Sequence, residues 1–340
     1  MTAPASDGVP AAVLCGLGSW LPSTVVPNDE LAGPLGVSDA WIHQRSGVRS
    51  RRRVDDGTAT VALAAEAGAR ALKSQGHGQV DAVLLATATP DRVTPPCAPE
   101  VAARLGLSGA AAVDLSAACS GFVYGLSLAA GCIAARTFAR VLVIGAETMS
   151  AVVDPRDPVT GPIFGDGAAA AVVRAGRPGE PGAFGPFALG SDGGGADLIQ
   201  VPRGGSRTRY RYTAEEPRAR VRMDGREVFR RALEHLGGAL TRAVEKAGWT
   251  PAEVDRFAIH QANARISRSL ATRMKVPEER WLSNIEHVGN TSAASVPLLL
   301  DHAVRDGALA PGQRVAVAAF GAGLTWGATT LVWPDLAAGG

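Results

Sequence analysis

Few side chains in this sequence are placed to do covalent chemistry. Cys15, Cys97, Cys119 and Cys132 form no C-x-x-C pair and share no metal-ligand spacing with histidine, so neither a metal site nor a disulfide framework is expected. Cys119 stands between the extended run Ala111 to Leu115 and an apolar helix beginning near Ser120. A helix N-terminus offers unpaired N–H groups and a dipole that favour a thiolate, which predicts a lowered thiol pKa and a nucleophile. A small residue packed among alanines is the other use of such a cysteine. His260 closes the apolar run Val254 to Ile259, and strand ends in α/β folds feed the active crevice, although a satisfied surface histidine fits the same pattern. Asn290 opens a second small-residue helix start, Asn290 to Ser295, as a donor or as an N-cap. Cysteine, histidine and asparagine together suit acyl transfer. The turn Phe320 to Gly327 is punctuated by glycines and can bring backbone N–H groups against a bound carbonyl oxygen.

The elements that must position these residues come twice. Thr58 to Ser74 has helical periodicity and precedes the buried strand pattern Val80 to Thr87. Arg226 to Lys246 spaces Phe229, Leu233, Leu236, Leu240, Ala243 and Val244 by three or four residues, and Val254 to Ile259 follows as a strand. The series then continues in both halves with a small-residue helix start, an apolar helix and two strands. Those strands are Arg140 to Ala146 and Ala168 to Val173 in the first half, and Arg314 to Phe320 and Ala328 to Val332 in the second. Order and spacing predict a duplicated α/β fold, with buried strands in central sheets and helices on their faces. The seam is expected in the Gly/Pro-rich stretch Ala175 to Gly182, giving a flexible N-terminus over 1–11, a half over 12–182 with the cysteine and a half over 183–340 with the histidine and asparagine.

Length and composition agree with a single large α/β unit. The 340 residues are 46% hydrophobic and 19% charged, which excludes a disordered or fibrous chain. The longest nearly uncharged apolar stretch, Phe122 to Ala135, falls short of the roughly 20 residues that span a bilayer. Met1 to Asp7 lacks the basic start and apolar run of a secretory signal, so the expected compartment is the cytoplasm, with no membrane partner. No G-x-G-x-x-G follows a strand into a helix, so dinucleotide binding is not expected. The formal net charge of +2 conceals a local excess of +6 between Arg203 and Arg231, on a long excursion (Gly193 to Arg222) and the helix after it. Such a run suits a solvated face or an acidic or phosphorylated partner, and no motif supports nucleic acid.

With these motifs in view, the sequence resembles the β-ketoacyl-acyl carrier protein synthase III family of the thiolase superfamily over nearly its whole length, from Ala12 to Val332. The resemblance implies a five-layered αβαβα fold of two similar halves and a homodimer. It implies that Cys119 takes an acyl primer from acyl-CoA, and that His260 and Asn290 hydrogen-bond the thioester carbonyl of malonyl-acyl carrier protein. The backbone N–H groups of Cys119 and Ala322 would form an oxyanion hole, and Phe320 would border the decarboxylating carboxylate. The resemblance further assigns Trp41, Arg45, Asn263 and Arg226 to CoA and its pantetheine arm, and Arg230, Arg265, Arg268 and Arg273 to the acidic carrier protein. No metal and no cofactor beyond these two substrates is implied. Two departures stand out. Asp157 to Thr160 replaces an arginine that stacks on adenine in some relatives, and Thr94 stands where acetyl-specific relatives place phenylalanine, which implies a primer longer or more branched than acetyl. The competing readings are an acyltransferase that uses Cys119 without decarboxylation, a Cys/His/Asn amide hydrolase, and a non-catalytic partner subunit.

Overall fold

The computed structural model describes residues 8–76, 78–208 and 220–336. The expected cores of the repeated elements all form, with ends displaced by one to three residues. The first sheet is built from β1 (Ala11–Trp20), β2 (Ala82–Ala86), β3 (Ala111–Leu115), β4 (Arg140–Glu147) and β5 (Gly167–Gly176), in the order β1-β5-β4-β2-β3. The second is built from β6 (Ala188–Ser191), β7 (Arg256–Ile259), β8 (Arg314–Gly321) and β9 (Thr325–Val332), in the order β7-β8-β9-β6. Both run the same way. In each, a parallel pair (β2 with β4, β7 with β8) is followed by two antiparallel pairings. Where β3 flanks β2, the second half keeps only a parallel bridge between Phe257 and Trp281.

Alternation along the strands builds the layers. In β4, Val141 and Val143 face one core while Leu142 and Ile144 face another; in β8, Val315 and Val317 face the first of these and Ala316 and Ala318 a third. The shared core lies between the sheets and holds α3 (Gly121–Ala134) and α6 (Ser295–Arg305) through Phe122, Leu126, Ile133, Val296 and Leu299. Outside the first sheet lies α2 (Thr60–Ser74), and outside the second α4 (Gly225–Lys246) with α5 (Ala264–Met274). Helix, sheet, helix, sheet, helix is therefore the stacking. Helix α4 packs Leu233, Leu236, Leu240, Ala243 and Val244 inward, as its spacing requires, and Asp224 caps it by accepting from Glu227 N at 3.1 Å.

The excursion after β6 is tied at its base. A 3₁₀ turn over Gly193–Leu198 leads into a short ribbon that pairs Ile199 with Met223 and Gln200 with Arg222. Arg209, Arg211, Glu215, Glu216 and Arg218, part of the charge run read from the sequence, lie outside the described residues, as do positions 1–7 of the expected N-terminal segment. Among the described residues, no helix is long and apolar enough to cross a membrane.

Candidate functional site

Cys119 lies in a single 3₁₀ turn, Ala118–Ser120, that feeds directly into α3; Ser292–Ala294 does the same for α6. Both turns open on a residue with left-handed backbone, Ala118 at φ 45° and Ser292 at φ 48°. Such a conformation costs a non-glycine residue about 1–2 kcal/mol, and it bends the chain sharply enough to expose the next residue's amide. Counting from these paired elbows makes Ala293 the repeat counterpart of Cys119. Asn290, expected close to that position, lies three residues upstream.

The thiol does not match the expectation of a lowered pKa. Burial pushes it up to about 12, a Ser292 hydrogen bond pulls the other way, the Glu147 charge raises it further, and its own amide N–H gives a small opposing effect. Removal from water is the largest cause, and α3 itself begins only at Gly121, after the 3₁₀ turn.

The strand end β8 closes against this elbow. A Cβ on Gly321 would lie 2.7 Å from the Cys119 nitrogen and 3.0 Å from that of Ser120, so only glycine permits the approach. Thr325 ties the glycine turn down: its Oγ1 lies 3.1 Å from the Ala117 carbonyl and 3.0 Å from that of Ala322, and Ser120 Oγ lies 2.8 Å away. Ala322 is half-buried in that turn. Phe320 is buried beside it, 6.2 Å from the His235 ring.

His260 continues β7, its amide donating to the Ala318 carbonyl at 2.9 Å, and the next amide, Gln261, donates to Ser295 Oγ at the start of α6 (2.8 Å). The imidazole is buried, its Nδ1 has no hydrogen-bond partner, and burial pushes its pKa down to about 4. It is neutral at physiological pH. Asn290 is also buried, and its Oδ1 accepts from Ser292 N at 2.9 Å. That bond fixes the amide orientation and turns Nδ2–H₂ away as a donor. Ser292 thus joins Asn290 to Cys119, while His260 is tied in through β8 and α6.

A separate group forms at the rim. In α1 (Asp39–Ser46), the Arg45 guanidinium lies 4.9 Å from the Trp41 ring centroid. Asn263 caps α5 by accepting from Arg265 N (2.9 Å) and donates to the Arg45 carbonyl (2.9 Å). Arg226 is exposed in the first turn of α4. Instead of an arginine, Asp157 organises the facing loop by accepting from Val159 N at 3.0 Å and Thr160 Oγ1 at 2.5 Å. Arg265, Arg268 and Arg273 are exposed along α5, with Arg265 5.5 Å from the Phe229 ring centroid. Arg230 is shared with Glu227 and Glu234, which leaves it less free than the α5 arginines. Thr94 is exposed.

Two residues at the elbow escaped the sequence reading. Glu147 ends β4 wholly buried, and Ser292 Oγ donates to its Oε1 at 2.9 Å. The signal available was a carboxylate directly continuing the apolar run Val141 to Ala146. Asp166, by contrast, is a structural clasp that accepts from Val54 N (2.9 Å), Ser150 N (2.8 Å) and Ser150 Oγ (2.6 Å). Among the described residues, no three His, Cys, Asp or Glu side chains cluster as metal ligands.

Comparison with known proteins follows the same lines. Residues 113–193 match the family model for 3-oxoacyl-[acyl-carrier-protein] synthase III, and residues 244–333 match the model of its C-terminal part. A β-ketoacyl-[acyl-carrier-protein] synthase III of Streptomyces coelicolor is 50% identical over 329 residues, covering 96% of this chain and 99% of the relative. One of Pseudomonas aeruginosa is 46% identical, with 96% and 98% covered. The crystal structure of 3-oxoacyl-(acyl carrier protein) synthase III from P. aeruginosa superposes with a TM-score of 0.90 at 45% identity, covering 96% of this chain and 99% of that one. A priming β-ketosynthase from a polyketide biosynthetic pathway also gives 0.90, at 36% identity, with 98% and 99% covered.

Proposed function

The chain belongs to the β-ketoacyl-[acyl-carrier-protein] synthase III family of the thiolase superfamily, and from that premise we propose that it starts an acyl chain by decarboxylative condensation. Cys119 attacks the thioester of an acyl-CoA primer, CoA leaves, and an acyl-cysteine remains. Malonyl-acyl carrier protein then loses CO₂, and its enolate carbon attacks the acyl-cysteine to give β-ketoacyl-acyl carrier protein.

The observation that carries this reading is a pair of buried, neutral side chains, Asn290 and His260. Asn290, its Oδ1 held by Ser292, offers Nδ2–H₂, and His260 is kept uncharged by burial, so both can stabilise an enolate oxygen without holding a fixed cation. Simple acyl transfer has no need of two such donors. The Cys119 and Ala322 amides serve the oxyanion, Phe320 borders the carboxylate, and the Trp41, Arg45, Asn263 and Arg226 rim receives CoA. The carrier protein docks on Arg265, Arg268 and Arg273, with Arg230 contributing less. The enzyme works as a cytoplasmic homodimer, in polyketide or branched fatty-acid priming. Thr94, small and exposed, leaves room for a primer larger than acetyl.

The test is incubation with radiolabelled acyl-CoA, followed by malonyl-acyl carrier protein. Labelled Cys119, then CO₂ and β-ketoacyl product, is the expected sequence; labelling with no CO₂ release would move the assignment to an acyltransferase. A primer series showing strict acetyl preference would defeat the Thr94 argument.

A further inference from the structure

We propose that Ser292 and Glu147 form a buried proton relay that takes the Cys119 thiol proton when the cysteine is acylated and returns it when the cysteine is released. This inference rests on the condensation described above. Ser292 is hydrogen-bonded to the reacting thiol on one side and to the Glu147 carboxylate, at 2.9 Å, on the other, so Glu147 acts through Ser292.

The geometry is specific. The Glu147 carboxylate is 0% exposed, and its hydrogen-bond partners are neutral donors from two separate segments. Ala88 N lies 3.0 and 3.1 Å from its two oxygens, Thr89 Oγ1 2.6 Å, Thr87 Oγ1 3.4 Å, Ser292 Oγ 2.9 Å and Ala293 N 3.3 Å. These donors favour the ionised carboxylate at rest, while burial raises its pKa and so suits it to accept a proton. Ser292 has one hydroxyl proton. While that proton is donated to Glu147, Ser292 can only accept from the thiol, so the resting chain runs from S–H to Oγ–H to carboxylate. The other titratable group at the elbow, His260, is neutral above about pH 4 and is a weak base. A thiol with a pKa pushed up to about 12 is almost wholly protonated at neutral pH. Moving its proton to Glu147 creates the nucleophile without adding a charge to the pocket.

The cycle closes. In acylation the thiol proton passes to Ser292 Oγ while the Ser292 proton passes to Glu147. Sγ bonds to the acyl carbon, the bond from that carbon to CoA sulfur breaks, and the CoA thiolate takes a proton from solvent. In condensation the carbon–carbon bond to the malonyl carboxylate breaks, and its electron pair forms the enolate. The enolate carbon bonds to the acyl carbon, the bond to Sγ breaks, and the sulfur recovers its proton from Ser292, which Glu147 replenishes. One solvent proton is consumed per turnover, matching the carboxylate lost as CO₂.

The relay is read independently of acyl-CoA by the rate of Cys119 alkylation with iodoacetamide between about pH 6 and pH 9, followed by mass spectrometry on the full chain. In the wild type the rate is expected to be nearly flat, because the reactive pair keeps one net charge throughout. Ser292→Gly and Glu147→Gln are expected to react about tenfold or more slowly at pH 7, with the rate climbing about tenfold per pH unit as the thiol titrates alone. Ser292→Gly keeps the experiment decisive if Glu147→Gln fails to fold, because glycine accepts the φ of 48° and leaves the carboxylate its remaining donors. A flat profile retained in Ser292→Gly, or a wild type that already climbs tenfold per unit, overturns the relay. Labelled acyl-CoA separates the two readings. Acyl-Cys119 followed by CO₂ and β-ketoacyl product, without the flat alkylation profile, removes the relay and keeps the condensation; a flat profile without acyl-Cys119 removes the condensation and keeps the thiol–carboxylate exchange.

Discussion

Gly321 carries a sharp demand. Because a Cβ there would sit against the backbone nitrogens of both Cys119 and Ser120, Gly321→Ala must displace the elbow, and the rigid backbone cannot yield as a flexible side chain would. Acylation of Cys119 is expected to fall by about 10²–10³-fold, the cost typical of losing an oxyanion donor, with far-ultraviolet circular dichroism unchanged. His260 makes a different prediction. Its pKa is about 4 when folded against 6.5 unfolded, so the unfolded chain binds the extra proton between those values. Stability present above pH 6.5 is therefore lost as pH falls toward 4, by about 3 kcal/mol at most. Urea denaturation across that range should show the loss, and His260→Gln should flatten it. Cys119, His260 and Asn290 could be picked out of the sequence as candidates because each sits where an apolar run stops or a helix starts. Glu147 and Ser292 were not, because hydrogen bonds joining residues 145 positions apart leave no trace in spacing.

At the scale of elements, α3 is the test of the layer order. It is packed between the two sheets, so truncating a residue in it opens a cavity that neither sheet can close. Leu126→Ala should cost about 2–5 kcal/mol, measured by denaturant midpoint, and a cost under about 1 kcal/mol would place α3 at the surface instead. The strands announced by continuous apolar runs, β2, β4, β5, β7, β8 and β9, were readable. Strand β6 was not. Ala188–Ser191 is short and poor in β-branched residues, and it is held by pairing with Thr325 to Ala328, a partner more than 130 positions away. Nor did the halves announce their inequality: the repeat predicts a counterpart of β3, and the second half supplies only the Phe257–Trp281 bridge.

For the whole molecule, one unsatisfied edge stands out. Strand β3 lies at the end of the five-stranded sheet with Val113 47% exposed, and the neighbouring α3 leaves Leu128 49% exposed. An open apolar edge of this kind suits a second copy of the chain. Val113→Lys is expected to yield monomers in analytical ultracentrifugation at concentrations where the wild type sediments as a dimer; a wild type that is monomeric throughout would end the dimer reading. The paired elbows carry a last consequence. Arg140 to Glu147 and Arg314 to Gly321 are the same strand in the two halves, so Glu147 and Gly321 occupy matching positions, each facing the opposite half's elbow. At the Cys119 elbow the glycine leaves the amide open to a visiting oxygen; at the Ala293 elbow the carboxylate already occupies that place, accepting from Ala293 N and Ser292 Oγ. The second half thus displays, in its own covalent structure, how a carboxylate oxygen would sit at the Cys119 elbow.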